Sequence, residues 1–161
     1  MSTKTRRISL TVNGEAVTHE VPVRRNLVDF LRHDLGFTGS HVGCEQGACG
    51  ACTVLLDGET VRGCLVLAVQ ADGCEIQSIE GGGDLLSDLQ TSFHELNALQ
   101  CGFCTPGMLL SAQELLAANP APSREEIRAY LSGNFCRCTG YQAIVDAVAA
   151  VAARRQVEGG A

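Results

Sequence analysis

Eight of the nine cysteines in this 161-residue chain fall into two separated quartets, Cys44, Cys49, Cys52 and Cys64, then Cys101, Cys104, Cys136 and Cys138. Thiolates in fours are the donor set of tetrahedral zinc and of iron–sulfur centres. Two quartets point to two metal centres in one small chain.

The first quartet is spaced C-x4-C-x2-C, with a fourth cysteine after eleven residues. That is the plant-type arrangement of four thiolates around a [2Fe-2S] cluster. In Val42-Gly43-Cys44-Glu45-Gln46-Gly47-Ala48-Cys49-Gly50-Ala51-Cys52 small residues crowd the ligands, so the backbone can take positive φ and wrap closely around an inorganic core. Peptide N–H groups exposed by such a loop can point at the sulfurs and set the cluster potential. The second quartet, Cys101-x2-Cys104 and, thirty-one residues later, Cys136-x-Cys138, lacks this spacing. Alone it fits a structural zinc site as well as an iron–sulfur centre. A second redox centre beside a first forms a relay, which favours iron and sulfur.

Outside the quartets the chemistry is sparse. Cys74 precedes an apolar strand and reads as a small packed hydrophobe. His19, His33, His41 and His94 are scattered, without the spacing of a Rieske pair, and solvated or lightly structural roles are expected. Arg137 sits between two candidate ligands, where it either balances cluster charge or is an exposed side chain. No acid–base constellation is evident, so no catalytic residue is expected.

The formal charge of −6 with no basic run argues against nucleic acid, whose phosphates need clustered Lys and Arg. Absence of Trp removes the stacking platform of a single-strand binder. A secreted disulfide framework would need an export signal. Arg6-Arg7 resembles one briefly, but Asn13, Gly14 and Glu15 follow where an apolar core should lie. No run approaches the ~20 apolar residues of a membrane span. The expectation is a soluble cytoplasmic chain, in which clustered cysteines are ligands and not disulfides.

The elements that must position these thiols are legible. Alternating apolar residues flank Asn13-Gly14 over residues 6 to 23, a type I′ hairpin signal. Asn26 caps a short helix from Leu27 to Leu35 that stops at Gly36. Cys52 to Leu56 and Glu59 to Arg62 flank Asp57-Gly58, a second hairpin, and Glu75 to Ile79 reads as an edge strand. Hairpin, helix, cluster loop and hairpin make a β-grasp arrangement. Gly81-Gly82-Gly83 is the clearest boundary. Beyond it the apolar period becomes helical. Leu86, Leu89, Phe93 and Leu96 form one helical face; Pro106 opens a second helix from Gly107 to Ala118, buried nearly all round. Ser123-Arg124-Glu125-Glu126 is a capping box that starts a third, with Ile127, Tyr130 and Leu131 inward. Tyr141 to Arg155 is a fourth, with Ile144, Val148 and Val151 on one stripe. The expected class is α+β: a β-grasp ferredoxin-like [2Fe-2S] domain over 1–80, a glycine-rich linker over 81–84 and a four-helix-bundle [2Fe-2S] domain over 85–161.

Three stretches then carry a resemblance: Val42 to Thr53, Gln100-Cys101-Gly102-Phe103-Cys104-Thr105-Pro106-Gly107, and Gly133-Asn134-Phe135-Cys136-Arg137-Cys138-Thr139-Gly140-Tyr141. Together, over about residues 6 to 152, they resemble the iron–sulfur subunit of the molybdenum hydroxylases, the xanthine dehydrogenase, aldehyde oxidase and carbon monoxide dehydrogenase relatives. The resemblance implies a distal [2Fe-2S] cluster on Cys44, Cys49, Cys52 and Cys64, and a proximal one on Cys101, Cys104, Cys136 and Cys138. It also implies that Gln100 contacts the molybdopterin of a large molybdenum-binding subunit. Electrons would pass through both clusters to FAD on a medium subunit or to another acceptor, in a dimer of heterotrimers. Two rivals stand beside it: a free-standing two-cluster electron carrier, and a zinc-stapled interaction module without redox activity.

Overall fold

Both hairpins close where the turn chemistry requires. In the computed structural model, which describes residues 4–159, Asn13 and Gly14 take φ of 52° and 84°, and Asp57 and Gly58 take 51° and 88°. These are the positive angles of a type I′ turn, whose twist matches that of the flanking strands. The first turn joins β1 (Thr5–Val12) to β2 (Glu15–Pro22), and the second joins β3 (Thr53–Leu56) to β4 (Glu59–Arg62). β5 (Glu75–Gln77) is not the edge strand expected: the order is β2-β1-β5-β3-β4, which puts it at the centre, parallel to β1 and antiparallel to β3. Ile76, paired with Val12 of β1 on one side and Leu56 of β3 on the other, is fully buried.

Asn26 caps α1 (Leu27–Asp29) by accepting the Asp29 N–H at 2.7 Å, and the helix continues as a π-helical turn over Phe30–Asp34. Leu27, Phe30 and Leu31 pack against Ile8, Leu10, Val12, Val54 and Ile76 to form the core of the sheet half.

Past Gly82 and Gly83, at φ of 71° and 107°, the chain is helical. α2 (Asp84–Glu95), α3 (Thr105–Ala118), α4 (Arg124–Tyr130) and α5 (Gln142–Gly159) enclose a second core around Leu89, Phe93, Met108, Leu110, Ile127 and Val148. Two positions expected inward are not buried. Leu96 is 42% exposed, because it is the C-cap of α2, after which Asn97 turns the chain at φ 51°. Tyr130 is 40% exposed, with its hydroxyl donating to Glu114. Strand β3 faces both cores: Val54 belongs to the sheet core and its neighbour Leu55 to the helical one. Successive strand side chains point to opposite faces, so a strand buried on both sides reads as the unbroken apolar run found here.

Candidate metal centres

The loop from Gly43 to Cys52 wraps back on its own sulfurs. Cys49 N–H donates to Cys44 Sγ at 3.3 Å. The N–H groups of Gln46, Cys49 and Ala48 together lower the Cys44 thiol to about 6, from an ordinary value of 9.0. Glycine is required where the loop turns or touches. A Cβ on Gly47, at φ 81°, would lie 2.4 Å from Leu65 Cδ1, and one on Gly50, at φ 74°, would lie 2.8 Å from the Gly133 carbonyl. Cys64 is delivered to the loop from β4, where the Gly63 N–H bonds the Cys52 carbonyl at 3.1 Å. Burial and the adjacent Cys64 thiol push Cys52 up to about 11.

The second quartet assembles at helix ends. Cys104 is the N-cap of α3, and Cys136 and Cys138 lie in the turn that leads into α5. Cys101 and Cys138 are exposed, with their sulfurs 3.6 Å apart. Burial, and the Cys136 thiol beside it, push Cys104 up to about 12. Burial also raises Cys136, but the Thr139 hydroxyl and N–H outweigh it and leave that thiol lowered.

The Cys101 and Cys138 sulfurs are 3.6 Å apart, and thiols also bond thiols at Cys44 and Cys49, at Cys52 and Cys64, and at Cys104 and Cys136. One zinc ion draws its four thiolates around a single point about 2.3 Å from each sulfur. Among the described residues no three His, Cys, Asp or Glu side chains converge as a single-ion site. Paired thiols suit a core of two irons, each iron taking one pair. Backbone donors already aimed at Cys44, and the glycine cradle that side chains would fill, also fit an inorganic core. The buried thiols with raised pKa must lose their protons to bind metal, so loading releases protons.

The two sites touch through a polar seam. Phe135 N–H donates to the Cys49 carbonyl at 2.8 Å. Asn134, 2% exposed, donates Nδ2 to the Gly50 carbonyl at 3.2 Å and accepts from Ser111 Oγ at 3.1 Å. Arg62 reaches from β4 to the Gly133 carbonyl at 2.8 Å. His41 bonds the Phe103 carbonyl at 2.8 Å through Nδ1 and stacks on that ring at 4.7 Å between centroids. Gly107 of α3 is so close to the first loop that a Cβ would lie 2.2 Å from the Gly50 carbonyl. None of these contacts was evident in the sequence; only their positions beside cysteines could have drawn attention to them. His41 is therefore a structural tie between the two loops. Gln100 is exposed beside Cys101, and Arg137 is exposed between its two cysteines. Cys74 lies apart from both quartets, and partial burial, with Asp57 beside it, raises its thiol.

Residues 10–82 match the family model described as a 2Fe-2S iron-sulfur cluster binding domain, and residues 76–149 match a [2Fe-2S] binding domain. The nicotine 6-hydroxylase small subunit of Paenarthrobacter nicotinovorans is 56% identical over 142 residues, covering 88% of this chain and 86% of that one. The chain belongs to the small iron–sulfur subunits of the molybdenum hydroxylases. Caffeine dehydrogenase subunit gamma of a Pseudomonas species is 50% identical over 93% of each chain. The crystal structure of quinoline 2-oxidoreductase from Pseudomonas putida 86 matches with a TM-score of 0.89 at 54% identity, covering 96% of this chain and 98% of that one. The aldehyde oxidoreductase of Desulfovibrio gigas matches with a TM-score of 0.88 at 44% identity, but this chain spans only 17% of it. As a member of this family the chain is an electron-transfer subunit of an oxidoreductase complex with two [2Fe-2S] domains. The zinc reading of the second quartet falls, since all four cysteines lie within the [2Fe-2S] binding match.

Proposed function

We propose that this chain carries electrons from the molybdenum cofactor of a large subunit, through its two [2Fe-2S] sites, to FAD on a medium subunit or to another acceptor. The observation that carries this is the pairwise meeting of eight thiols in two loops that are hydrogen-bonded to each other at Phe135 and Cys49. A bound [2Fe-2S] cluster supplies one-electron storage at each site. In this reading Cys44, Cys49, Cys52 and Cys64 would hold the distal cluster. Cys101, Cys104, Cys136 and Cys138 would hold the proximal cluster. Gln100, exposed beside the most open pair, is the contact for the pterin.

The division into a sheet domain over 1–80 and a helical domain over 85–161, joined at 81–84, is supported by the two separate cores and by the positive-φ glycines between them. The large and medium subunits, and assembly as a dimer of such heterotrimers, belong to the same proposal, as does a cytoplasmic location. Among the described residues no helix is long and apolar enough to cross a membrane. Nicotine, caffeine and quinoline, named in the relatives, all contain a ring nitrogen, which supports an N-heteroaromatic substrate for the complex.

The test is iron and molybdenum content of the complex isolated through this chain. The expected result is about four irons and about one molybdenum per copy, as two [2Fe-2S] centres beside one molybdenum centre require. Iron without molybdenum, on a chain that purifies alone, would instead establish a free carrier. In the same complex Cys49→Ser should remove one of two paramagnetic signals of the reduced protein and leave the other; loss of both in a folded chain would refute two independent sites.

A further inference from the structure

A closed ring of hydrogen bonds surrounds one sulfur of the second quartet. Tyr141, at the unusual φ of 69°, places its hydroxyl to accept the Cys136 N–H at 2.8 Å. The Tyr141 N–H donates to Thr139 Oγ1 at 3.2 Å. Thr139 Oγ1 lies 3.1 Å from Cys136 Sγ, and Thr139 N–H points at the same sulfur at 3.4 Å. A hydroxyl has one proton and two lone pairs. Because Thr139 Oγ1 already accepts from Tyr141, its proton is free to be donated, and the neighbour placed to receive it is Cys136 Sγ.

We infer that Thr139 is a tuning residue, whose hydroxyl donates to the Cys136 thiolate and raises the reduction potential of the proximal cluster above that of the same cluster without this bond. The inference rests on Cys136 being a cluster ligand, as proposed above. An added electron makes the cluster and its thiolates more negative, and a donor aimed at a thiolate stabilises that reduced form most. The strained Tyr141 backbone serves the same end: a residue held at positive φ persists only where surrounding contacts over-determine it. Here those contacts hold the Tyr141 N–H that donates to Thr139 Oγ1 and so orients the Thr139 proton toward Cys136. The asymmetry is marked. Cys101 and Cys138 are exposed and Cys104 is half-buried, and among the described residues no side-chain hydroxyl is bonded to any of the three, so the bond acts on one ligand of four.

The experiment is a redox titration of the intact complex, following both [2Fe-2S] signals by electron paramagnetic resonance in wild type, Thr139→Val, Thr139→Ala and Thr139→Ser. Val keeps the shape without the hydroxyl, Ala removes both, and Ser keeps the donor. Val and Ala are expected to shift the oxidised-to-reduced ratio of one signal toward oxidised, about three- to tenfold at fixed potential. Tenfold corresponds to about 59 mV for one electron. The other signal should not move, and Ser should titrate like wild type. Unchanged midpoints in Val and Ala overturn the inference, as does a Ser variant shifted as far as Val. Loss of the cluster in Val and Ala, with retention in Ser, would also overturn it, by making the hydroxyl an assembly requirement. Absence of two [2Fe-2S] signals in the wild-type complex would defeat the underlying ligand assignment instead.

Discussion

Asn134 joins the two cysteine loops, and its replacement by alanine should be felt across the whole chain. The side chain is 2% exposed and makes two well-formed hydrogen bonds, to the Gly50 carbonyl at 3.2 Å and from Ser111 Oγ at 3.1 Å. Contacts to Thr53 Oγ1 at 3.4 Å and Arg62 at 3.5 Å are long enough to neglect. Each good bond contributes about 1 kcal/mol, and a buried polar group left without a partner costs about 1–3 kcal/mol. The Gly50 carbonyl keeps Thr53 N–H and Thr53 Oγ1 as donors, so it is not orphaned. Ser111 Oγ, buried on α3, is orphaned. The total is therefore about 3 kcal/mol, two bonds plus one unsatisfied hydroxyl at the low end of its range. For a chain of this size that lowers the melting temperature by about 6–12 °C, which scanning calorimetry of the cluster-loaded chain resolves. Asn134→Asp should be worse than alanine, because a carboxylate oxygen then faces the Gly50 carbonyl where an N–H₂ stood. A drop of less than about 2 °C in Asn134→Ala, or an aspartate variant more stable than alanine, would refute the claim that this side chain binds the loops together.

Three further perturbations test the same frame. Glu114 accepts from Thr60 N and Thr60 Oγ1, both at 2.7 Å, and from Tyr130; burial raises its carboxyl, but these donors and Arg62 outweigh it and leave the pKa lowered. Glu114→Gln should cost about 2 kcal/mol near neutral pH, a value discounted for partial exposure. A lowered folded pKa means stabilisation that is full above the unfolded value of about 4.3 and is lost as pH falls through the folded one. The gap between wild type and variant, measured by urea unfolding, should therefore close below about pH 4; a gap that widens in acid would contradict the sign. Gly107→Ala would place a methyl 2.2 Å from the Gly50 carbonyl, and should cost at least about 1–3 kcal/mol despite the better helix propensity of alanine. An unchanged melting temperature would show that α3 and the first loop can separate freely. Cys136→Ser should lower the thermal transition of the helical half, because metal ligation contributes folding energy to a small domain; an unshifted transition in a variant lacking one cluster would count against it.

What could be read from the sequence was local. Asn13-Gly14 and Asp57-Gly58 specify their turns by needing positive φ at both positions, and Ser123 with Glu126 specifies the start of α4 by reciprocal capping bonds. The cysteine spacings pointed to the two [2Fe-2S] binding domains that the family matches cover, because ligation demands residue type as well as position. What failed was non-local. Nothing in Glu75–Gln77 says that β1 and β3 will flank it, because strand order depends on which partners arrive, not on the strand's own residues. Leu96 and Tyr130 fit the helical period, yet each sits where its helix ends and the chain turns, so periodicity continued past the point at which the core stopped. The seam was hidden for the same reason. Arg62, Asn134 and Glu114 are ordinary polar residues in sequence, and they acquire roles only when β4, α3 and the Cys136 turn meet.

That seam also explains why two small domains share one chain in a relay. The sheet half and the helical half have separate apolar cores, and Leu55 is the buried side chain that β3 lends to the other side. Apolar contact alone would leave the halves free to slide, since it has no direction. The hydrogen bonds from Phe135 to Cys49 and from Asn134 to Gly50 have direction, and each begins within two residues of Cys136 and ends within two residues of a cysteine of the first loop. Any displacement that separated the two sets of thiols would break those bonds first. The spacing between the two cysteine loops is therefore fixed by one backbone and one side-chain hydrogen bond made at the loops themselves, which is where a relay gains most from rigidity.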